Sequence, residues 1–365
     1  MGDHLRRGAV VAGTAPDCRS LTSCQNARMP SNPEIPEPAP RSVPMRLLHR
    51  LTPPRPGDVL LTAHVGPAGE AVTLWGPDAL AERIFGYVEY ANGVRSPASQ
   101  VPPWSARVVV AAPDGRQTVT EIDGMTLAFP NLQPLPGGRL LIVGTRCRVS
   151  AGIAEHNAVV IDPAGGIART GTFGDGIADV QTTLSGRIIA AYFDEGVFGN
   201  NGWGGTGAPE PIGAPGLVEF DSDLRQVWSY SFDDPEAPWI GDCYALNVID
   251  ETVWASVYPD FPLVRVDEQR VTTWQNDVAA GAHGFLIDDG AAGWIGGYGA
   301  GPDTLTTGTL IESGTVLRET FHIGTDDGCD FAATIARGRR LHRFTDTGDW
   351  FVLDLAAAGL THPGA

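Results

Sequence analysis

The stretch NLQPLPGGRLLIVG (Asn131–Gly144) decides the fold. Two apolar runs flank a Pro-Gly-Gly turn, where glycine supplies the positive φ that a tight reversal needs, so the stretch reads as two antiparallel strands. The phrase returns as DVQTTLSGRIIAAY (Asp179–Tyr192), CYALNVIDETVWASVY (Cys243–Tyr258), HGFLIDDGAAGWIGGY (His283–Tyr298) and DFAATIARGRRLHRF (Asp330–Phe344). DVLLTAHVGPAGEAVTLWG (Asp58–Gly76) is a looser copy. After most copies comes a second hairpin that turns on Asp or Gly: VVVAAPDGRQTVTEI (Val108–Ile122), AVVIDPAGGIARTGTF (Ala158–Phe173), GLVEFDSDLRQVWSYSF (Gly216–Phe232) and PLVRVDEQRVTTW (Pro262–Trp274). Asn131 and Asp179 are 48 residues apart, and His283 and Asp330 are 47 apart, a period that suits four-stranded propeller blades.

The expected fold is therefore all-β: a six-bladed β-propeller of four-stranded antiparallel blades occupying residues 45–355. Residues 1–44, rich in Pro, Ser and Arg and without period, read as a disordered or mis-assigned extension, with Met29 or Met45 as alternative starts, and 356–365 read as a tail. The last blade lacks a good fourth strand. MRLLHRL (Met45–Leu51) is expected to supply it and close the ring, removing an open sheet edge. Two insertions interrupt the pattern, one from about Pro77 to Ser105 and one at Asp194–Gly216. Runs such as LLIVG and IIAAY show little alternation, as expected of strands covered on both faces by neighbouring blades. Trp254, Trp294 and Trp350 belong to this core, and Trp228 and Trp274, at matching places in two outer strands, to inter-blade packing.

Composition excludes several function classes. The chain has 365 residues and a net charge of −18, which argues against nucleic acid and against anionic membrane surfaces, since both recruit Lys and Arg. No apolar run has the length of a bilayer span, and the N-terminal patch GAVVAG is too short for a secretory signal. Five Cys without a CxxC pair give neither a disulfide framework nor a zinc motif, and a reduced, cytoplasmic setting is expected. Walker, GxSxG and HExxH motifs are absent.

In a propeller, the starts of the innermost strands and the loops joining second to third strands open on one end of the axis. Asn131, Asp179, Asp242, His283 and Asp330 are expected there, ringed by Arg146, Glu155, His156, Asp175, Asp194, Glu195, Trp203, Tyr258, Asp260 and Tyr298. Oxygen ligands from Asn131, Asp179, Asp242 and Asp330 suit a hard divalent cation such as Ca²⁺. Crowded carboxylates without a cation favour one that holds its proton, making Asp179 and Asp242 candidate acid–base groups with His283 as base. Asp194, Glu195, Trp203, Tyr258 and Tyr298 are the ligand-binding candidates, with Phe198 beside Trp203 as a lid or stacking surface. Against these stands a purely structural account, in which Asp and Asn cap backbone N–H groups at turns and Trp203 anchors its loop. Cys243 beside Asp242 also admits a nucleophile reading, opposed by the usual burial of such a thiol.

The blade pattern over residues 45–355 resembles the six-bladed propellers of the gluconolactonase (senescence marker protein), paraoxonase and streptogramin-lyase group. That resemblance implies a divalent cation on the axis held by inner-strand side chains, here at the positions of Asn131, Asp179, Asp242 and Asp330, and metal-assisted hydrolysis or lysis of a small cyclic ester. Two functions follow as expectations. One is binding of a small molecule or protein partner on an acidic, aromatic face; the other is lactonase-like hydrolase or lyase chemistry.

Overall fold

A computed structural model describes residues 40–89, 93, 95–231, 237–324 and 331–360. It is a six-bladed β-propeller. Blade one comprises Asp58–Val65, Ala71–Pro77, Gln100–Ala111 and Gln117–Leu127. Blade two comprises Pro130–Leu135, Arg139–Gly144, Ala158–Ile161 and Ile167–Gly171, and blade three Ile177–Thr182, Ile188–Tyr192, Leu217–Phe220 and Gln226–Ser229. Blade four comprises Asp242–Ile249, Thr252–Tyr258, Leu263–Asp267 and Arg270–Trp274, and blade five Gly284–Asp288, Ala291–Gly297, Ala300–Ile311 and Gly314–Gly324. In each, the first strand lies innermost and the fourth outermost, and the six innermost strands touch in sequence around the axis.

Blade six closes the ring as expected. Ala333–Arg337, Arg340–Phe344 and Asp349–Asp354 are completed by Arg46–Arg50, which pairs antiparallel with Asp349–Asp354. The chain contributes one further strand that the sequence reading placed outside the domain. Arg41–Pro44 runs parallel to Gly314–Gly324 and adds a fifth strand to blade five. Backbone alone does not hold it: Val43 and Met45 enter a cluster with Phe321, Phe351 and Leu353 between blades five and six. The expectations for residues 1–39 lie outside the described residues.

Burial follows position in the blade. Ile188–Tyr192 is wholly buried, whereas the outer strand Ile167–Gly171 is exposed for four of its five residues. Second strands are sandwiched between adjacent blades, which is why most read as apolar runs; Arg340–Phe344 of blade six is an exception, with His342 and Arg343 buried. Trp294 and Trp350 are fully buried, Trp254 is buried, and Trp274 stacks on it at 5.2 Å. Among the described residues no helix is long and apolar enough to cross a membrane.

Both insertions leave from the loops between second and third strands. The first folds as a helix, Asp78–Ile84, and a small hairpin, Tyr87–Glu89 with Arg95–Pro97. The second begins with the short helix Asp194–Phe198. Both therefore lie at the axial end where the inner strands start.

Candidate functional site

The axis is plugged by side chains near its far end. Gln133, Gln181 and Asn247, each on an innermost strand, are buried with Arg337. The Gln181 amide donates to Asp179 Oδ2 at 2.9 Å and to the Leu246 carbonyl at 3.0 Å. Its carbonyl accepts from the Val248 N–H at 2.8 Å and from Arg337 Nη1 at 2.9 Å. Arg337 also donates to the Thr182 carbonyl, and Gln133 Oε1 accepts from the N–H and hydroxyl of Thr182. Asn247 bridges to the Phe285 and Gly338 carbonyls and accepts from the Gly338 N–H. Burial of the guanidinium away from water lowers the Arg337 pKa to about 10, opposed by the nearby Asp179 and Glu70 charges.

Asp179 sits immediately above this plug. Its carboxylate accepts from the Val180 N–H at 2.8 Å and from Gln181, yet burial pushes its pKa upward. Asn131 is buried at the start of blade two, and Asp58, at the start of blade one, is paired with Arg107 at 2.7 Å. Asp330 lies outside the described residues. Among the described residues no three His, Cys, Asp or Glu side chains stand close enough to share a metal ion. The set expected to hold a divalent cation, Asn131, Asp179, Asp242 and Asp330, thus includes one residue outside those described.

His283 begins blade five at the exposed rim. Burial of part of the ring and the Arg343 guanidinium both lower its pKa, and Asp303 acts in the opposite sense. Its charged neighbours are thus Arg343 and Asp303, which are themselves ion-paired at 2.6 Å, rather than Asp179 or Asp242. Of the expected acid–base groups, Asp179 and Asp242 both act on Cys243, whereas the charges acting on His283 are those of Arg343 and Asp303. Cys243 is buried, its thiol faces the Ala245 carbonyl, and burial together with the Asp242 and Asp179 charges raises its pKa strongly, a setting that disfavours the thiolate.

Asp242 is where chemistry gathers. It pairs in register with Tyr258, and a bulge follows between Cys243 and Ala245. The helix Asp194–Phe198 packs over this strand, so that the Asp194 backbone N–H reaches the Asp242 carboxylate. Burial and then the Asp194 charge raise the Asp242 pKa to about 7. Beside it, the hydroxyls of Tyr244 and Tyr298 share a hydrogen bond of 2.5 Å. Phe261 forms the buried floor, meeting Tyr244, Tyr258 and Tyr298 edge-on at 4.9, 5.9 and 5.4 Å. On the other flank, Phe198 and Trp239 lie 5.7 Å apart, and the Trp239 indole folds over Gly241. Four of these rings remain open to solvent: Tyr298 at 64%, Phe198 at 59%, Tyr258 at 47% and Trp239 at 46%.

The remaining candidates anchor the second insertion. Trp203 is buried and its indole N–H donates to the Cys147 carbonyl at 2.9 Å, so it fastens the loop rather than facing a ligand. Arg146 is buried between Glu195 and Asp175, and Asp175 also accepts from the Cys147 N–H at 2.8 Å and from Asn201 at 3.1 Å. Glu155 accepts from the Arg148 N–H at 2.9 Å and His156 bonds Thr170, both within blade two. Sequence reasoning missed Tyr244 and Trp239. The available signal was position: Trp239 lies three residues before, and Tyr244 two after, the candidate strand start Asp242. At the opposite end, a groove of about 370 Å³ opens between blades four and five. It is lined by Trp254, Trp274, Arg265, Ile287, Asp289 and Glu312, but its rings stack on one another and Arg265 is paired with Asp267.

The profile of the YxzG family matches residues 220–292, a minor part of the chain. Comparison with curated protein sequences gives no match. Among solved structures, the chain is similar to a catalytically inactive virginiamycin B lyase from Staphylococcus aureus with quinupristin, at 8% identity and a TM-score of 0.36, covering 85% of this chain and 99% of that one. It is also similar to a streptogramin B lyase at 8% identity and a TM-score of 0.39, covering 84% and 96% of the two chains. The WD40 domain of Neurospora crassa Pan2 is another, at 10% identity and a TM-score of 0.43, covering 84% and 94%. These likenesses are to the propeller fold alone.

Proposed function

We propose that this propeller binds a small molecule in the open basin between the second insertion and the rims of blades four and five. The observation that carries the reading is the group of exposed rings, Phe198, Trp239, Tyr258 and Tyr298, around the half-buried Asp242. Singly exposed apolar residues are ordinary, but Phe198 against Trp239, and Tyr258 and Tyr298 around Phe261, near the Asp194–Asp242 contact, give an exposed aromatic surface of the kind that marks ligand sites. Their position fits the fold, since loops on a rigid scaffold carry binding groups. Burial of such rings by a ligand contributes on the order of a kcal/mol or more each.

A panel of small aromatic and aliphatic organic molecules, screened by thermal shift, tests the reading. Hits are expected, and their shifts should vanish in Trp239→Ala and in Tyr298→Ala. Shifts that survive both substitutions would place binding elsewhere and sink the proposal.

A further inference from the structure

The charge of the basin indicates what kind of molecule it takes. Asp242 and Asp194 both belong to it, and neither forms an ion pair with Arg, Lys or His among the described residues. The next cation along the rim, Arg146, is held by Asp175 and Glu195. Arg343, on the far side of His283, is held by Asp303. The ring faces carry partial negative charge and attract cations in the same sense as the carboxylates. Resting on the reading of this face as a ligand basin, we infer that its ligand class is an organic cation: an ammonium group directed at Asp242, with an apolar body against Trp239, Phe198, Tyr258 and Tyr298. The alternatives fit poorly. An anion would meet two carboxylates and no free guanidinium, and a neutral apolar ligand would leave Asp242 without a counter-charge in a partly desolvated place.

The groups that act with Asp242 are Asp194 from the insertion helix, Tyr258 paired with it across the hairpin, and Tyr244 and Cys243 on its own strand, with Tyr298 of blade five bonded to Tyr244. Asp179 is close enough for its charge to act, with that of Asp242, on Cys243. All of these groups are acids, so none of them opposes a bound cation. The Asp242 carboxyl titrates near 7 without ligand, whereas the phenols and the thiol are pushed to higher pH. A permanently charged ligand should therefore bind more tightly as pH rises from about 6 to about 8, as Asp242 ionises.

Isothermal titration calorimetry with benzyltrimethylammonium, benzyl alcohol and benzoate tests this. The ammonium compound is expected to bind at least about tenfold more tightly than the alcohol, the ratio expected of one added charge interaction, with benzoate weakest. Asp242→Asn should remove most of that ratio and its pH dependence, while a circular dichroism melt confirms folding. Tyr298→Leu, which keeps the carboxylate, should weaken ammonium and alcohol together. Equal affinity for the ammonium and the alcohol, both abolished by Trp239→Ala, would overturn the cation assignment and leave the basin standing. Tightest binding of benzoate, or an ammonium preference unchanged in Asp242→Asn, would also overturn it. Absence of binding by all three would overturn it too, with the broader thermal-shift panel then deciding the fate of the basin itself.

Discussion

Asp242 shows how much one side chain's setting decides. Read along the strand it is one more acidic residue at a turn. In the fold, burial and then the Asp194 charge raise its pKa to about 7 against an ordinary 3.8, opposed by the Asp194 N–H. Between those values the folded chain holds a proton that the unfolded chain has released. The group's contribution is therefore fully present below about pH 4 and is lost as pH rises towards 7. Asp242→Asn should leave stability unchanged near pH 4 and raise it near pH 8 by about 1–2 kcal/mol, after allowance for screening at a half-buried site. Paired thermal unfolding of both proteins across that range measures the difference; a constant offset at all pH values would contradict it. His342 runs the other way. It is buried with its Nδ1 accepting from the Trp350 indole at 3.0 Å, and burial drops its pKa to about 3. Its contribution is present above pH 6.5 and is lost as pH falls towards 3.

Elements set the site by contacts too close for ordinary side chains. The insertion helix lies directly on the turn that opens blade three: a Cβ on Gly196 would come within 2.6 Å of the Asp175 carbonyl, and one on Gly176 within 2.2 Å of the Gly196 nitrogen. Gly196→Ala should lift the helix, cost about 2 kcal/mol or more in urea unfolding, and weaken ligand binding through the displaced Asp194 and Phe198. Normal stability and binding in this variant would show that the packing is looser than described. The N-terminal strands act at the opposite side of the ring. Met45 and Leu51 are buried and flank the strand that closes blade six. Removing residues 41–51 exposes the edge of Asp349–Asp354 and empties the core positions of Val43, Met45 and Leu51, so the melting temperature should fall by roughly 10 °C or more. An unchanged melt would mean that the last blade needs no closure.

On the scale of the whole molecule, the axis is a polar core inside an apolar one. Gln181 serves four partners from blades three, four and six. Gln181→Ala would strand the Val248 N–H and one face of Arg337 without acceptors, a loss expected at about 3 kcal/mol by denaturant titration. A loss under about 0.5 kcal/mol would mean that water replaces the side chain and the channel is wetter than its packing indicates. Both insertions and the aromatic basin lie at the other end of the axis from Arg337 and its partners.

Blade number, strand order and N-terminal closure were legible in the chain, because hairpin chemistry is local: apolar runs of strand length, separated by Gly- and Asp-bearing turns, hold wherever they stand. The end of the molecule carrying the loops was legible too, since strand direction alternates through a blade. Which side chains meet there was not. Asn131, Asp179, Asp242 and His283 share a sequence position, yet Asn131 is buried, Asp179 is bound into the plug, His283 neighbours Arg343, and Asp242 stands among rings. The bulge between Cys243 and Ala245, the indole folded over Gly241 and the helix laid against Gly176 made those choices. Each depends on atoms brought together from distant positions, so periodicity announced the ring of blades and only packing chose its functional face.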